Sequence, residues 1–252
     1  DRSRMGNETS FGLGFSGNEM IGKFVAGNDF NYVQAHATSI AASGKYNISS
    51  CSSEVIASGR VQMKNYQAVD LINGLERHDG YTHAFFKSFT PALQNRIRQY
   101  ASQGGRILIS GSYTGSDMQT EEEQAFLSDI LKLSYEPTGS TAIIRDINPE
   151  DSTVTERESI VYTSPNVTGL GLQFSYYNEL NAQHYAATHP EILKPVGNYA
   201  FTAMQYDTGT SAAVAYKSTT YRSFVMGFPL ECIIDESTRT SVLLGILKFL
   251  TD

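Results

Sequence analysis

The chain has 252 residues, 40% hydrophobic and 18% charged, which is enough for one large packed α/β domain and excludes a disordered or fibrous class. A net charge of -7 argues against a nucleic-acid or anionic-membrane partner, either of which favours a basic face. Two cysteines, Cys51 and Cys232, are too few for a disulfide framework or a cysteine metal cluster, and their spacing does not say whether they pair.

In chain order, "KFVAG" reads as a strand before a helix-like "FNYVQAHATSIAAS" that Gly44 ends. "KYNIS" reads as a strand, and "SSEVIASG" as a short helix with serine caps and Gly59 as its stop. "AVDLING" is a buried strand, apolar apart from Asp70. Thr90-Pro91 then opens a helix with Leu93, Ile97 and Tyr100 on one face, closed by Gly104-Gly105. "RILIS" is the next strand, and "TEEEQAFLSDILKL" a helix opened by the capping pair Thr120 and Glu123.

From about 133 to 222 the pattern changes to short β-rich runs: "SIVYTS", "LGLQFSYY", "YAFTAMQY" and "SAAVAYKS". These are expected as antiparallel strands on the sheet edge or as a small inserted β-subdomain. "YRSFVMGFPLE" returns to a buried strand, and "STRTSVLLGILKFL" closes as an amphipathic helix. The expected fold is a three-layer α/β sandwich over residues 1–252, with a mainly parallel sheet and a β-rich extension at about 133–222. No apolar run is long enough to span a membrane, and no signal peptide is present. The opening "DRSRMGN" reads as the start of a mature product or an excised domain. Fifteen tyrosines with no tryptophan, among many small polar residues, fit a secreted sugar-handling protein and many others.

Ligands of such sheets collect beyond the strands' C-terminal ends. Those ends are Asn28 and Asp29, Ser50 and Cys51, Asn73 to Glu76, Ser110 to Asp117, and Phe228 to Glu231. Gly111-Ser112-Tyr113-Thr114-Gly115 has the spacing of a nucleophile elbow, but with tyrosine in the middle. A phenol is a weak nucleophile near neutrality, and no neighbouring residue in the sequence activates it, so packing or cleft lining is the expected role of Tyr113. The candidate crevice comprises Glu76, Ser110, Ser112, Tyr113, Thr114, Asp117 and Glu231, where Glu76 and Asp117 could act as a carboxylate pair. The histidines His36, His78, His83 and His184 show no metal-ligand spacing, and neither a metal nor a cofactor is expected. A phosphate-cradling glycine loop is missing too, which ranks a flavodoxin-like small-ligand binder last.

His189-Pro190-Glu191 is a literal match to the histidine and glutamate with which class I glutamine amidotransferases activate an elbow cysteine. It stands in a loop-rich stretch before further strands, so "FVMGFPLE" is the expected topological counterpart, and that segment lacks the histidine. "FVAGNDFNYVQAHATSIAAS", "YQAVDLINGLE", "LQNRIRQYASQGGRILISGSYTGSDM" and "YRSFVMGFPLECI" together resemble a domain of secreted gut-bacterial proteins labelled xanthan lyases. More distantly the order of elements is similar to class I glutamine amidotransferase-like and flavodoxin-like domains. The resemblance implies a secreted, cell-surface or periplasmic setting, neighbouring modules and a glycan as partner. It favours a noncatalytic or relict amidotransferase-like domain over a polysaccharide lyase or hydrolase, because the arginine and asparagine that a lyase sets around its base are not evident near Tyr113.

Overall fold

A computed structural model of the chain describes residues 32–77, 87–136, 144–147, 154–157, 160–169, 171–178, 185–187 and 189–252. The "KFVAG" run, Asn28, Asp29, His78, His83 and His184 lie outside the described residues.

Helix α1 spans Tyr32–Ala41, and Gly44, with φ +63°, ends its trailing turn as expected. The short α2, Ser53–Ala57, follows. "KYNIS" forms no strand: its residues are mostly exposed, and among the described residues no strand runs beside it to take its backbone hydrogen bonds. Strand β1 is Val69–Gly74, α3 Pro91–Ser102 and β2 Arg106–Gly111. Thr90 caps α3 by accepting from the Leu93 N–H, with Pro91 in the first turn. Helix α4, Glu121–Phe126, begins with the reciprocal Thr120–Glu123 capping box and runs on as a π-turn over Leu127–Leu131.

The β-rich stretch supplies β3 (Leu133–Tyr135), β4 (Ile144–Ile147), β5 (Val154–Arg157), β6 (Ile160–Thr163), β7 (Gln173–Ser175), β8 (Leu193–Pro195), β9 (Ala200–Tyr206) and β10 (Ser211–Lys217). A four-residue helix α5, Pro165–Thr168, joins β6 to β7. Strand β11, Arg222–Met226, and helix α6, Glu236–Thr251, complete the described chain.

The main sheet has the order β1-β2-β11-β10-β9-β6-β7. The expectation of a mainly parallel sheet is corrected here. Only β1, β2 and β11 are mutually parallel; β10, β9, β6 and β7 are antiparallel to their neighbours. Connection length is the reason. The turns between β9 and β10 and between β10 and β11 are too short for the crossover that a parallel pair needs. The β-rich region thus extends the sheet, while β3 pairs with β8 and β4 with β5 in two small separate ladders.

Alternation along β2 divides the core. Leu108 faces one layer with Phe224, Met226 and the α6 residues Val242, Leu243, Ile246 and Leu250. Ile107 and Ile109 face the other with Val225, Leu93 and Ile97 of α3 and Phe126 and Leu127. Each such fully buried side chain contributes about 1.5–3 kcal/mol. The two helical layers therefore fix where the C-terminal ends of β1, β2 and β11 come together.

Candidate functional site

At the end of β1 the pairing slips between Ile72 and Gly74, and Gly74 takes φ +56°. The Gly74 carbonyl then accepts from the Ser112 N–H at 2.9 Å, tying the end of β1 to the turn after β2. Ser88, just before α3, completes this junction. Its hydroxyl lies 2.8 Å from the Glu76 carbonyl and 3.0 Å from the Tyr113 carbonyl, and its N–H donates to Asp117 Oδ2 at 2.8 Å. Ser88, which no sequence motif marks, thus ties the Glu76 and Tyr113 backbones to the Asp117 carboxylate.

The segment 112–117 is not a nucleophile elbow. It is a run of turns, and α4 starts only at Glu121. Among the described residues Lys132 and Tyr199 are the non-glycine positions with positive φ, so Tyr113 carries none of the backbone strain that thrusts an elbow nucleophile outward. The flanking glycines serve close approach instead. A Cβ on Gly111 would lie 2.7 Å from the Asn73 Cβ, and one on Gly115 would lie 2.6 Å from the Tyr135 Cβ.

His189-Pro190-Glu191 also returns to this turn, against the expectation drawn from its loop-rich context. The Glu191 N–H donates to the Gly227 carbonyl at 2.7 Å, just beyond β11, and the Tyr206 hydroxyl donates to the Glu191 carbonyl at 3.0 Å. Gly227 has no side chain to keep that backbone away. From there the Glu191 carboxylate accepts the Gly115 N–H at 2.6 Å and the Ser116 N–H at 2.9 Å. The His189 ring stacks on Tyr113 with centroids 5.1 Å apart and planes 8° from parallel, and the Arg77 guanidinium lies 4.5 Å from the Tyr113 centroid.

Burial raises the Glu191 carboxyl to about 7, although its hydrogen bonds to the turn favour the ionised form. Glu76 also rises to about 7, through burial first and then the nearby charges of Glu54 and Asp117. Burial, followed by the charge on Arg77, lowers the His189 imidazole below its usual range and keeps it neutral at pH 7. Ser110, Ser112 and Thr114 are fully buried and line no open surface. Thr114 donates to the Gly111 carbonyl, while the Ser110 and Ser112 hydroxyls make no hydrogen bond among the described residues.

Glu231 borders the junction from the other side of β1: its Oε1 lies 3.8 Å from where a Cβ on Gly74 would stand. It faces α1, where His36 lies between two carboxylates: Nδ1 is 2.6 Å from Asp70 Oδ2 and Nε2 is 3.2 Å from Glu231 Oε2. The Tyr185 hydroxyl donates to Glu231 Oε1. Alternation along β1 turns Asp70 toward the α1 layer, whereas Val69 and Leu71 pack toward α3. Burial alone would lower His36, but Asp70 and Glu231 outweigh it and hold the imidazolium to about 10. The sequence marked its members singly, Asp70 as the polar residue of a buried strand, Glu231 at a strand end and His36 on a helix, but nothing in it joined them.

As chemistry, the turn is closed on itself. A stacked imidazole directs its in-plane nitrogen lone pairs away from the ring beneath it, so His189 is not arranged as a base for the Tyr113 phenol. Two turn N–H groups that could face a developing oxyanion are occupied by the chain's own carboxylate. Among the described residues no group of three or more His, Cys, Asp or Glu could hold a metal ion, and no helix is long and apolar enough to cross a membrane. Cys51 is exposed and Cys232 is buried, and the two do not form a disulfide.

No protein-family model matches the sequence, and no curated protein does. In fold the chain is similar to ThuA-like and class I glutamine amidotransferase-like domains. A protein described as ThuA-like from Parabacteroides merdae matches with 13% identity over 88% of this chain and 84% of that one, at a TM-score of 0.47. A protein described as part of a GMP synthase, from Thermoplasma acidophilum, matches with 10% identity over 79% and 78%, at 0.42. A β-galactosidase from the haloarchaeon Halorubrum lacusprofundi matches with 15% identity over 76% of this chain but only 23% of its own, at 0.42.

Proposed function

We propose that the chain is a noncatalytic, amidotransferase-like module of an exported bacterial protein, serving polysaccharide binding or processing. The observation that carries the noncatalytic part is the seat of Glu191 on the Gly115 and Ser116 N–H groups. A turn with its backbone donors filled, its tyrosine unstrained and its histidine stacked has no matched nucleophile, base and oxyanion site. The polysaccharide and export parts rest on the resemblance of the ordered sequence runs to the domain of secreted proteins labelled xanthan lyases. Two observations favour the alternative, a carbohydrate-active hydrolase or lyase at the crevice: Glu76 rises to about 7 near Asp117, as a general acid would, and, against the expectation from the sequence, an arginine, Arg77, does lie beside Tyr113.

One assay divides the two readings. The protein is incubated with a panel of neutral and uronate-bearing polysaccharides, and reducing ends and unsaturated uronates are measured beside glycan-array binding. Binding without turnover is expected. Turnover abolished by Glu76→Gln would establish the enzyme reading in its place.

A further inference from the structure

The opposite end of the sheet carries a second surface, independent of the turn. The registers Val69 with Ile107, Arg106 with Arg222, Arg222 with Lys217, and Tyr216 with Ala200 align the start of β1, β2, β11 and β9 with the end of β10. Tyr66, Arg106, Tyr221, Lys217 and Tyr199 therefore stand in that order along one rim. At the β1 end of the rim is an open cleft of about 320 Å³ lined by Lys64, Tyr66, Gln67, Gln103 and Arg106 among others. That volume lies near the lower end of small-ligand sites, roughly 300–1,000 Å³.

Two features of the rim are not explained by packing. Tyr66 is 42% exposed beside the cleft, and Tyr199 is 71% exposed at the far end of the rim. Tyr199 is also held at φ +69°, a left-handed backbone that a bulky residue rarely adopts. The negative end of α6, which reaches this rim at Thr251, is offset by Arg222 donating to the Phe249 carbonyl at 2.7 Å. Cations and tyrosine faces thus share one edge of a protein whose net charge is -7.

The chemistry of the cleft selects among ligands. A tyrosine ring offers an apolar face to the C–H side of a sugar ring and a hydroxyl to its rim. The amides of Gln67 and Gln103 both donate and accept, as sugar hydroxyls do. Lys64 and Arg106 add positive charge suited to a carboxylate. A nucleic acid is disfavoured, because its affinity comes mainly from neutralising a phosphate at each residue and the chain as a whole is acidic.

We infer that this rim is a saccharide-binding surface, with the Tyr66 cleft receiving a uronate-bearing sugar unit and Tyr199 forming a second platform along the same chain. The inference rests on the polysaccharide reading above and gives it a location away from the turn. The test is calorimetric titration of wild type, Tyr66→Ala, Tyr199→Ala and Lys64→Glu with oligogalacturonate, its methyl ester and oligothymidylate. Tyr162→Ala removes an exposed tyrosine off the rim and serves as the control, and thermal unfolding confirms that each variant is folded. The expected result is oligogalacturonate binding weakened about tenfold or more by Tyr66→Ala and by Lys64→Glu, less by Tyr199→Ala, and not by Tyr162→Ala. Methyl esterification is expected to weaken binding to wild type and to leave Lys64→Glu little changed. Saccharide binding that survives all three rim substitutions overturns the location and leaves the polysaccharide reading standing. Oligothymidylate bound as tightly as the sugar overturns the ligand class. Failure of wild type to bind any saccharide, here and on the glycan array, overturns both readings.

Discussion

Glu191 and Glu231 are both wholly buried, both lie just beyond β11 at the same end of the sheet, and they titrate in opposite directions. Glu191 is met by the Ser116 side chain and by two backbone N–H groups at the turn, and burial outweighs these neutral donors, so its carboxyl rises to about 7. Glu231 is met by a full cation, His36, and by the Tyr185 hydroxyl; burial raises it too, but these partners overcome it and its carboxyl falls below the usual range. Neutral hydrogen-bond donors do not replace a counter-ion in a dry site. The turn around Glu191 is therefore a sensitive junction, whereas the cluster around His36 is a fixed ion network joining α1 to β1 and to the turn after β11.

The largest effect is expected from breaking that network. His36→Ala leaves the Asp70 and Glu231 carboxylates without their shared cation, and removal of one partner from a buried pair costs about 3–5 kcal/mol. Urea unfolding at pH 7 should show that loss. His36→Leu combined with Asp70→Leu and Glu231→Leu should recover part of it, because no carboxylate of the cluster is then stranded. A loss under about 1 kcal/mol for His36→Ala would mean that the cluster is open to water and not a dry ion network.

Titration sharpens the same comparison. His36 is held to about 10 against its usual 6.5, so the folded state keeps a proton that the unfolded state gives up between these values. Its stabilisation is complete below pH 6.5 and is lost as pH climbs through 10; the slope in that window should shrink in His36→Ala. Glu191 and Glu76 rise from 4.5 to about 7, so the folded state again binds more protons, and stability should fall as pH rises from 4.5 to 7. Glu191→Gln should flatten that slope most and Glu76→Gln less, since Glu76 is only partly buried. Thermal unfolding midpoints across pH 4.5 to 7.5 measure this, and equal slopes in wild type and Glu191→Gln would remove Glu191 from the account.

Local physics was legible in the sequence, and long-range geometry was not. The Thr90-Pro91 start, the Thr120–Glu123 box and the "RILIS" strand act within a few residues and are formed as expected. "KYNIS" has strand propensity but no partner ladder, and propensity alone does not make a strand. The spacing of Gly111, Tyr113 and Gly115 marks a tight turn after a strand, yet it says nothing about the sign of φ, which separates a strained elbow from an ordinary turn. His36 meets Asp70 and Glu231 across 34 and 195 residues, which no local pattern records. His189-Pro190-Glu191 reads as a displaced motif because the path over Gly227 that returns it to the turn exists only in three dimensions.

The smallest predicted effect bears on whether the turn is packing or machinery. His189→Ala removes a near-parallel ring from Tyr113 and leaves the Glu191 hydrogen bonds in place. An aromatic pair of this kind contributes about 0.5–1.5 kcal/mol beyond its buried area, so urea unfolding should show a loss of that order. His189→Phe keeps a stacking ring without ring nitrogens and should restore most of it. If the imidazole instead serves proton transfer, alanine and phenylalanine would be equally damaging to any measured turnover while differing in stability. Recovery of stability by phenylalanine, with no turnover to lose in any of the three proteins, makes His189 the lid of a closed turn.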